Sequence, residues 1–156
     1  MPGIFHWLRI QTFCYPTERE DLVAQAFAAL TGTDGFETVI SDSEQGSRLL
    51  IYQTMLTKQK DFEAFFRGLG PAVLRQLRQE LDERVDDDDV FYTRLDKQQA
   101  VQGVWAIGHH GDVIAITGKV AANPARKDVA VRVLDGFLTK MLQPARPAAP
   151  EEPSSV

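Results

Sequence analysis

The run Ile4-Phe-His-Trp-Leu-Arg-Ile-Gln-Thr-Phe-Cys14 places Leu8 and Ile10 on one parity and Arg9 and Gln11 on the other. Successive side chains of a strand point to opposite faces of a sheet, so this alternation predicts a strand with one buried and one solvated face. A half-buried strand needs partner strands on both sides and helices on its apolar face. We therefore expect a sheet at the centre of the fold.

The rest of the chain alternates between strand and helix patterns. Further strands are predicted at Phe36–Ser41, Arg48–Thr57, Val90–Leu95, Val104–Gly108 and Val113–Ala121. Apolar residues at helical spacing predict helices at 18–31, 59–69, from Pro71 through Leu81, and 125–142. The order β-α-β-β-α-α-β-β-β-α predicts an α+β fold with a largely antiparallel (mixed) sheet and helices packed on one face.

Local signals set the predicted ends of these elements. Thr17 and Glu20 match a capping box, and Asn123-Pro124 offers an N-cap with a first-turn proline. The turn composition of His109-His110-Gly111-Asp112 predicts a hairpin between its two flanking strands. We expect one domain over residues 1–142. Residues 143–156 contain four prolines and are expected to form a flexible tail.

Composition indicates the class of protein. Hydrophobic residues make up 44% of the chain and charged residues 25%, which is typical of a chain that folds around a core. No apolar run approaches the roughly 18 residues that span a bilayer, and the first residues lack a signal-peptide pattern. The single cysteine, Cys14, excludes an internal disulfide and a Cys-pair metal site. We expect a cytoplasmic protein with no membrane partner.

Charge is unevenly distributed along the chain. The net charge is −5, but residues 17–89 have a balance of −8, to which Asp86–Asp89 contribute strongly, whereas residues 90–142 have a balance of +3. Salt screens an acidic region beyond about 8–10 Å, so a local basic surface can still hold phosphates.

No catalytic signature is present: there is no phosphate-binding glycine loop, nucleophile elbow or zinc-protease motif. His109–Asp112 is predicted to be a turn rather than a metal site, and Asp86–Asp89 a solvated loop. His6 is predicted to be partly buried, and Cys14 to have a packing role. We therefore expect no catalytic residue, no cofactor and no metal; an enzyme using His6, Cys14 or the aspartate run is the weakest alternative.

One face of the predicted sheet combines basic and aromatic residues. If Leu8, Ile10, Phe91, Leu95, Ile114 and Ile116 face the helices, then period 2 places Trp7, Arg9, Tyr92, Arg94, Thr117 and Lys119 on the opposite face. Cations neutralise phosphates and aromatic rings stack on unpaired bases, which is what a reader of single-stranded or loop RNA requires. The predicted nucleic-acid-binding residues are Arg9, Tyr92, Arg94, Lys97, Lys119, Arg126 and Lys127.

An alternative explains the same face without RNA. The exposed aromatic residues would then pack against another protein, either in a protein-interaction module or in a homodimer, with no direct RNA role.

Three segments carry a family resemblance: Arg9-Ile-Gln-Thr-Phe-Cys-Tyr-Pro-Thr-Glu18, Arg94-Leu-Asp-Lys-Gln-Gln-Ala100 and Lys119-Val-Ala-Ala-Asn-Pro-Ala-Arg-Lys127. In order and spacing they resemble an archaeal family of small RNA-binding proteins described as predicted exosome subunits. The resemblance runs from about His6 to Leu142, and the middle segment is its most specific motif.

The resemblance implies an α+β fold similar to that of the ribosomal protein that binds 5S RNA. It also implies RNA binding without established catalysis, an accessory role beside the exosome or other RNA-processing proteins, and an archaeal cytoplasm. The matching positions are Arg9, Thr17, Glu18, Arg94, Asp96, Lys97, Gln98, Lys119, Pro124 and Ala125. Helix capping also explains Thr17 and Glu18, and helix initiation explains Pro124.

Overall fold

Five strands form one antiparallel sheet in the computed structural model, which describes residues 3–42, 48–109 and 111–143. The strands are β1 (Phe5–Cys14), β2 (Glu37–Asp42), β3 (Arg48–Leu56), β4 (Val90–Asp96) and β5 (Val113–Val120). Their order across the sheet is β2-β3-β1-β5-β4, so the first strand of the chain lies at the centre. The sheet is open, and the α+β class expected from the sequence is confirmed.

Helices cover one face of this sheet. They are α1 (Glu20–Thr31), α2 (Gln59–Leu69), α3 (Pro71–Gln79), α4 (Leu81–Arg84), α5 (Lys97–Val101) and α6 (Lys127–Leu142). In α2 the predicted apolar stripe of Phe62, Phe65, Phe66 and Leu69 is buried. None of the helices within the described ranges is long and apolar enough to cross a membrane.

Strand register assigns each side chain to a face. In β1, Leu8 and Ile10 are fully buried beneath the helices, and Ile10 pairs with the equally buried Ile116 of β5. An aromatic cluster fills the core on this side: the Phe5 ring lies 5.4 Å from Phe62 and 5.8 Å from Phe66. Alternation therefore predicted the buried face of the sheet correctly.

A bulge at the start of β1 changes the predicted position of His6. The register shifts between Phe5, which pairs with Val120, and Trp7, which pairs with Lys119. The extra residue places Phe5 in the core and leaves His6 exposed. The prediction of a partly buried histidine was wrong because strict alternation does not allow for a bulge.

A close approach accompanies this bulge. A Cβ atom at Gly118 of β5 would lie 2.7 Å from a methyl carbon of Leu8 and 2.9 Å from the Phe5 ring. A side chain at this position would force the buried Leu8 and Phe5 side chains to shift, where β5 pairs with the start of β1.

Val104–Gly108 does not form the predicted strand, and no hairpin joins it to β5. Its Ile107 makes one isolated bridge to Leu95, and the Gly108 amide donates to the Arg94 carbonyl at 2.9 Å. The segment thus lies along the outer edge of β4, whereas β5 pairs with β1 and β4. Periodicity cannot assign so short an apolar run, and α5, with five residues, is likewise too short to show a helical period and was not predicted.

Two helix starts differ from their predicted caps. Helix α1 begins at Glu20 with Arg19 as N-cap and no side-chain cap, so Thr17 does not form a capping box. Helix α6 begins at Lys127, and Asn123-Pro124, joined by a cis peptide bond, precedes it in the connecting loop. Residues 43–47, His110 and residues 144–156 lie outside the described ranges, so the division into a domain over 1–142 and a tail over 143–156 stays a prediction.

We predict that the free energy of unfolding falls at alkaline pH because the buried Tyr52 loses its phenol proton. Tyr52 is 4% exposed and packs against Phe36 at 5.0 Å between ring centroids; burial raises the pKa of its phenol from 10.0 to about 12. The folded state holds the phenol proton more tightly than the unfolded chain does. Its contribution to the free energy of unfolding is therefore fully present below pH 10 and is lost between pH 10 and about 12.

Urea unfolding across that pH window checks this, with Tyr52→Phe as the comparison. The variant keeps the ring but has no proton to lose, so it should lose less stability than the wild type on raising the pH. Equal losses in the two proteins would show that Tyr52 is not responsible.

Candidate functional site

The sheet face opposite the helices carries the predicted basic and aromatic residues. We call this surface the open face. β1 contributes Trp7, Arg9, Gln11 and Phe13 to this face. The residues of β3 and β5 that pair with these four also belong to it, and so do the residues of β2 and β4 that pair in turn with those of β3 and β5. Within the described ranges, no helix packs on this side.

Small side chains on β5 form the floor of a shallow trough along the open face. Thr117 lies between Arg9 of β1 and Tyr92 of β4, and Ala115 lies between Gln11 and Arg94. Because neighbouring strands are about 4.8 Å apart, the two walls stand about 10 Å from each other. The side chains on the walls leave less than this distance free, which suits one extended strand of a polymer rather than a helix about 10–12 Å wide.

Two guanidinium groups border this trough. Arg9 is exposed and has no carboxylate within ion-pair distance in the part of the chain that the structure describes. Arg94 is also exposed, and it donates one hydrogen bond of 3.3 Å to the His109 carbonyl. Each guanidinium keeps donors for an anionic ligand, since it carries five N–H groups.

Tyr92 and Lys119 complete the trough in different ways. Tyr92 is 41% exposed on β4, across Thr117 from Arg9 and two residues before Arg94, so its ring presents a surface to solvent. Lys119 lies at one end, half-buried, and its ammonium group donates to the backbone carbonyl of Asp88. Lys119 thus belongs to the open face but already has one partner.

Lys97 is not on the open face, and its prediction as a phosphate contact is corrected. The side chain is fully buried: its ammonium nitrogen lies 2.7 Å from Glu18 Oε1, 2.8 Å from Asp112 Oδ1 and 2.6 Å from the Phe13 carbonyl. The Tyr15 ring lies 5.0 Å from it on a further side. An ammonium with three close acceptors has no donor left for a phosphate.

We call this arrangement the lysine node, and Gln98 completes it. The Gln98 amide donates to the second oxygens of the same two carboxylates, at 3.3 Å to Glu18 and 2.8 Å to Asp112. Asp96 accepts from the Gln99 amide and caps α5. The most specific motif of the family resemblance is thereby explained: of Arg94–Gln98, only Arg94 offers a cation on the open face, whereas Asp96, Lys97 and Gln98 cap α5 and form the lysine node.

Arg126 and Lys127 belong to the helix layer, not to the open face. Arg126 is the N-cap residue of α6, and its guanidinium pairs at 3.2 Å with Asp128, both side chains being exposed. Lys127 is the first residue of α6, which packs against α3 and α2. The structure therefore does not bring these two cations together with Arg9 and Arg94.

The candidate catalytic groups have structural partners. Cys14 is buried as predicted, and burial raises the pKa of its thiol, which keeps the sulfur in its less reactive form. Asp86 accepts from the amides of Asp88 and Val90, at 2.8 and 3.0 Å, and orders the acidic loop. Asp89 is buried with φ 61°. The prediction that the whole acidic loop is solvated is therefore wrong at this residue. Within the described ranges, no group of three or more potential ligands is placed to hold a metal ion.

Several open-face residues are not among those predicted from the sequence. Phe13 and Met55 are 39% and 52% exposed, and the Gln53 amide of β3 donates to Glu37 of β2 at 2.7 Å. Alternation in β1 carries the signal for Phe13, which shares the parity of Arg9. The β3 and β2 residues required the register, which sequence alone did not provide.

Known proteins share this fold and sequence pattern. A family model described as RNA binding matches residues 7–120, which include most of β1 and all of the other four strands. A Pyrococcus abyssi protein named RNA-binding protein PAB1135 is 27% identical over 143 residues, covering 85% of this chain and 93% of that protein.

Solved structures agree. A DUF54 protein from Methanothermobacter thermautotrophicus is 29% identical with a TM-score of 0.72, covering 89% of this chain and 98% of that one. The DUF54 protein AF2318 from Archaeglobus fulgidus, 22% identical, shares the fold with a TM-score of 0.69, over 88% of this chain and 99% of that one.

We predict that Lys97→Met destabilises the fold by about 3–5 kcal/mol, because it leaves two neighbouring carboxylates without their shared cation. Urea unfolding measures the loss. Lys60→Met removes an exposed lysine from α2 and should change stability by less than about 0.5 kcal/mol. A Lys97→Met protein as stable as the Lys60→Met control would show that the lysine node does not support the fold.

Proposed function

This chain belongs to the RNA-binding family, also known as DUF54, and on that premise we propose that it binds RNA by holding an unpaired stretch of it in the trough of the open face. The observation that carries the proposal is the pair of exposed guanidinium groups, Arg9 and Arg94, on opposite walls of a trough, with the exposed Tyr92 beside Arg94 and across the floor from Arg9.

Phosphate contacts provide the affinity in this proposal. Arg9 has no competing carboxylate within the described ranges, and Arg94 has only a backbone carbonyl as partner. An Arg guanidinium binds phosphate oxygens in a bidentate fashion, which positions the backbone along the trough. Lys119 adds a third positive charge at one end. The sites proposed from the sequence thus reduce to Arg9, Tyr92, Arg94 and Lys119.

Tyr92 provides the contact to a base. Its ring is exposed on the β4 wall, across the floor from Arg9, within reach of a base whose phosphates contact the walls. Stacking of a base on an aromatic side chain contributes about 1–3 kcal/mol and tolerates any sequence. The trough width supports a single strand, whereas a duplex would present its phosphates farther apart than the floor allows.

We further propose that the protein acts without catalysis, in the cytoplasm, as an accessory to the exosome or another RNA-processing assembly. The resemblance described above supports this. The lysine node supports the absence of catalysis alone, because its polar groups bind one another rather than a substrate.

We predict that the wild type binds single-stranded RNA with a log–log salt slope of about −2, as three cations imply for a single strand. The combined variant Arg9→Glu/Arg94→Glu should lose at least about tenfold in affinity and show a shallower slope, because two phosphate contacts become repulsive. Fluorescence anisotropy with a labelled oligonucleotide at two or more salt concentrations measures both.

Arg132→Glu is the matched control, since Arg132 is an exposed arginine on α6 in the helix layer. It changes the net charge of the protein by the same amount as each open-face substitution, and the variant should keep most of its affinity for RNA. Equal losses in Arg132→Glu and in either single open-face variant would mean that net charge, not the open face, governs binding. Tighter binding of a matched duplex than of the single strand would contradict the trough.

A homodimer through the open face is the second candidate, favoured by the exposure of Phe13 and Met55 on that surface. It predicts a dimer at micromolar protein that becomes monomeric in Phe13→Ser/Met55→Ser. Light scattering coupled to size exclusion decides this, and a wild-type monomer across the accessible concentrations excludes it.

A further inference from the structure

β3 extends beyond β2 at one corner of the open face and leaves a recess there. The pairing of β2 with β3 starts at Glu37 opposite Gln53, whereas Thr54–Leu56 pair with β1 alone in the part of the chain that the structure describes. The resulting depression has a volume of about 380 Å³ and is lined by Arg9, Gly35, Glu37, Gln53, Thr54 and Met55. Small-ligand sites begin at about 300 Å³, so the recess has room for one nucleotide base.

The recess adjoins the proposed RNA trough through Arg9. This arginine lies between Met55 of β3 and Thr117 of β5, so one side of it borders the recess and the other borders the trough. A strand of RNA that contacts Arg9 can therefore place a neighbouring base into the recess while its backbone continues along the trough.

One hydrogen bond, between Gln53 and Glu37, orients the acceptor groups of the recess before any ligand arrives. The Gln53 amide nitrogen donates to Glu37 Oε1 at 2.7 Å, which orients the carboxylate. Glu37 Oε2, the second lone pair of Oε1 and the Gln53 carbonyl oxygen are left as acceptors. Phe36, next to Glu37 in the chain, packs edge-on against Phe27 at 4.8 Å and Tyr52 at 5.0 Å. The backbone at Glu37 is thus anchored to the core.

We propose that this recess selects an unpaired guanine of the bound RNA, an inference that rests on the proposed function. The Watson–Crick edge of guanine presents two adjacent donors, N1–H and the N2 amino group, beside the acceptor O6. The Glu37 carboxylate accepts from the two donors, and the Gln53 carbonyl oxygen adds a further acceptor. The Arg9 guanidinium donates to O6, and the exposed Met55 side chain packs against the base.

Other bases match these groups less well. Adenine and cytosine have an unprotonated ring nitrogen where guanine has N1–H, so its lone pair would face the Glu37 carboxylate. Uracil offers one N–H between two carbonyl oxygens, both of which the carboxylate repels. A carboxylate that repels unsuitable groups gives selectivity in addition to the attraction that it offers the correct base.

The charge of Glu37 supports this assignment. On a surface that binds phosphates, a carboxylate beside Arg9 lowers the affinity for every RNA, because it repels the backbone. Glu37 accepts a hydrogen bond from neutral Gln53, and no cation pairs with it among the described residues. Donation from a guanine edge gives this uncompensated charge a partner.

The test compares uridine oligonucleotides that carry one central guanosine, adenosine, cytidine or inosine. By anisotropy, the wild type should bind the guanosine oligonucleotide about tenfold more tightly than the adenosine one, the discrimination that a good bidentate contact provides. Inosine lacks the N2 amino group but keeps N1–H, so its affinity should fall between these two.

Glu37→Gln tests the assigned residue. This variant should bind the guanosine oligonucleotide no more tightly than the adenosine one, while its affinity for plain oligouridine stays equal or rises, since a negative charge is gone. Asp42→Asn is the matched control: it removes the same charge from the same strand on the other face of the sheet, and it should keep the guanosine preference.

The outcomes separate this inference from the proposed function. Salt-sensitive binding of all four oligonucleotides with equal affinity would overturn guanine selection and leave RNA binding by the open face intact. A guanosine preference that survives in Glu37→Gln would also overturn the assignment to this recess. Failure of the wild type to bind any of them would overturn both.

Discussion

The buried ammonium group of Lys97 is the interaction on which the rest of the structure depends. It joins the end of β1, the loop before α1 and the start of β5 through Phe13, Glu18 and Asp112, which are distant in sequence. A buried charge of this kind adds little stability over an apolar core, but its loss leaves partners that nothing else satisfies. Its effect is to fix where β1 ends relative to β5. Because a slip of one residue would turn every side chain of a strand to the opposite face, that alignment keeps Arg9 on the outside.

This arrangement separates two roles within one short motif. Arg94 points to the open face and Leu95 into the core, while the next three residues cap α5 and form the lysine node. The most recognisable segment of the family is therefore mainly a structural one, and only its first residue belongs to the proposed RNA surface. Binding properties can change among relatives at the surrounding open-face positions without loss of the motif that specifies the fold.

The sequence was sufficient for what depends on local periodicity. Alternation identified β1 and the buried face of the sheet, and helical spacing identified α2 with its buried phenylalanines. It failed where distant groups decide the outcome: Lys97 was assigned to the surface because its partners lie up to 84 residues away. The apolar run Val104–Gly108 was predicted to be a strand. Nothing in its own sequence shows that it pairs with the edge of β4 through one isolated bridge only. The recess beside Glu37 was missed for a similar reason, since it exists only through the register of β2 against β3.

The two edges of the sheet also bear on how the protein behaves at high concentration. The segment around Ile107 lies along the outer edge of β4 and shields part of its backbone, so a second sheet cannot pair freely there. At the other edge, β2 is a short strand with exposed carboxylates at both ends, Glu37 and Asp42. Short edge strands with charged side chains oppose pairing with a second sheet. Strand-by-strand polymerisation into fibres is thus discouraged at both ends of the sheet, although its broad face is left open for a ligand.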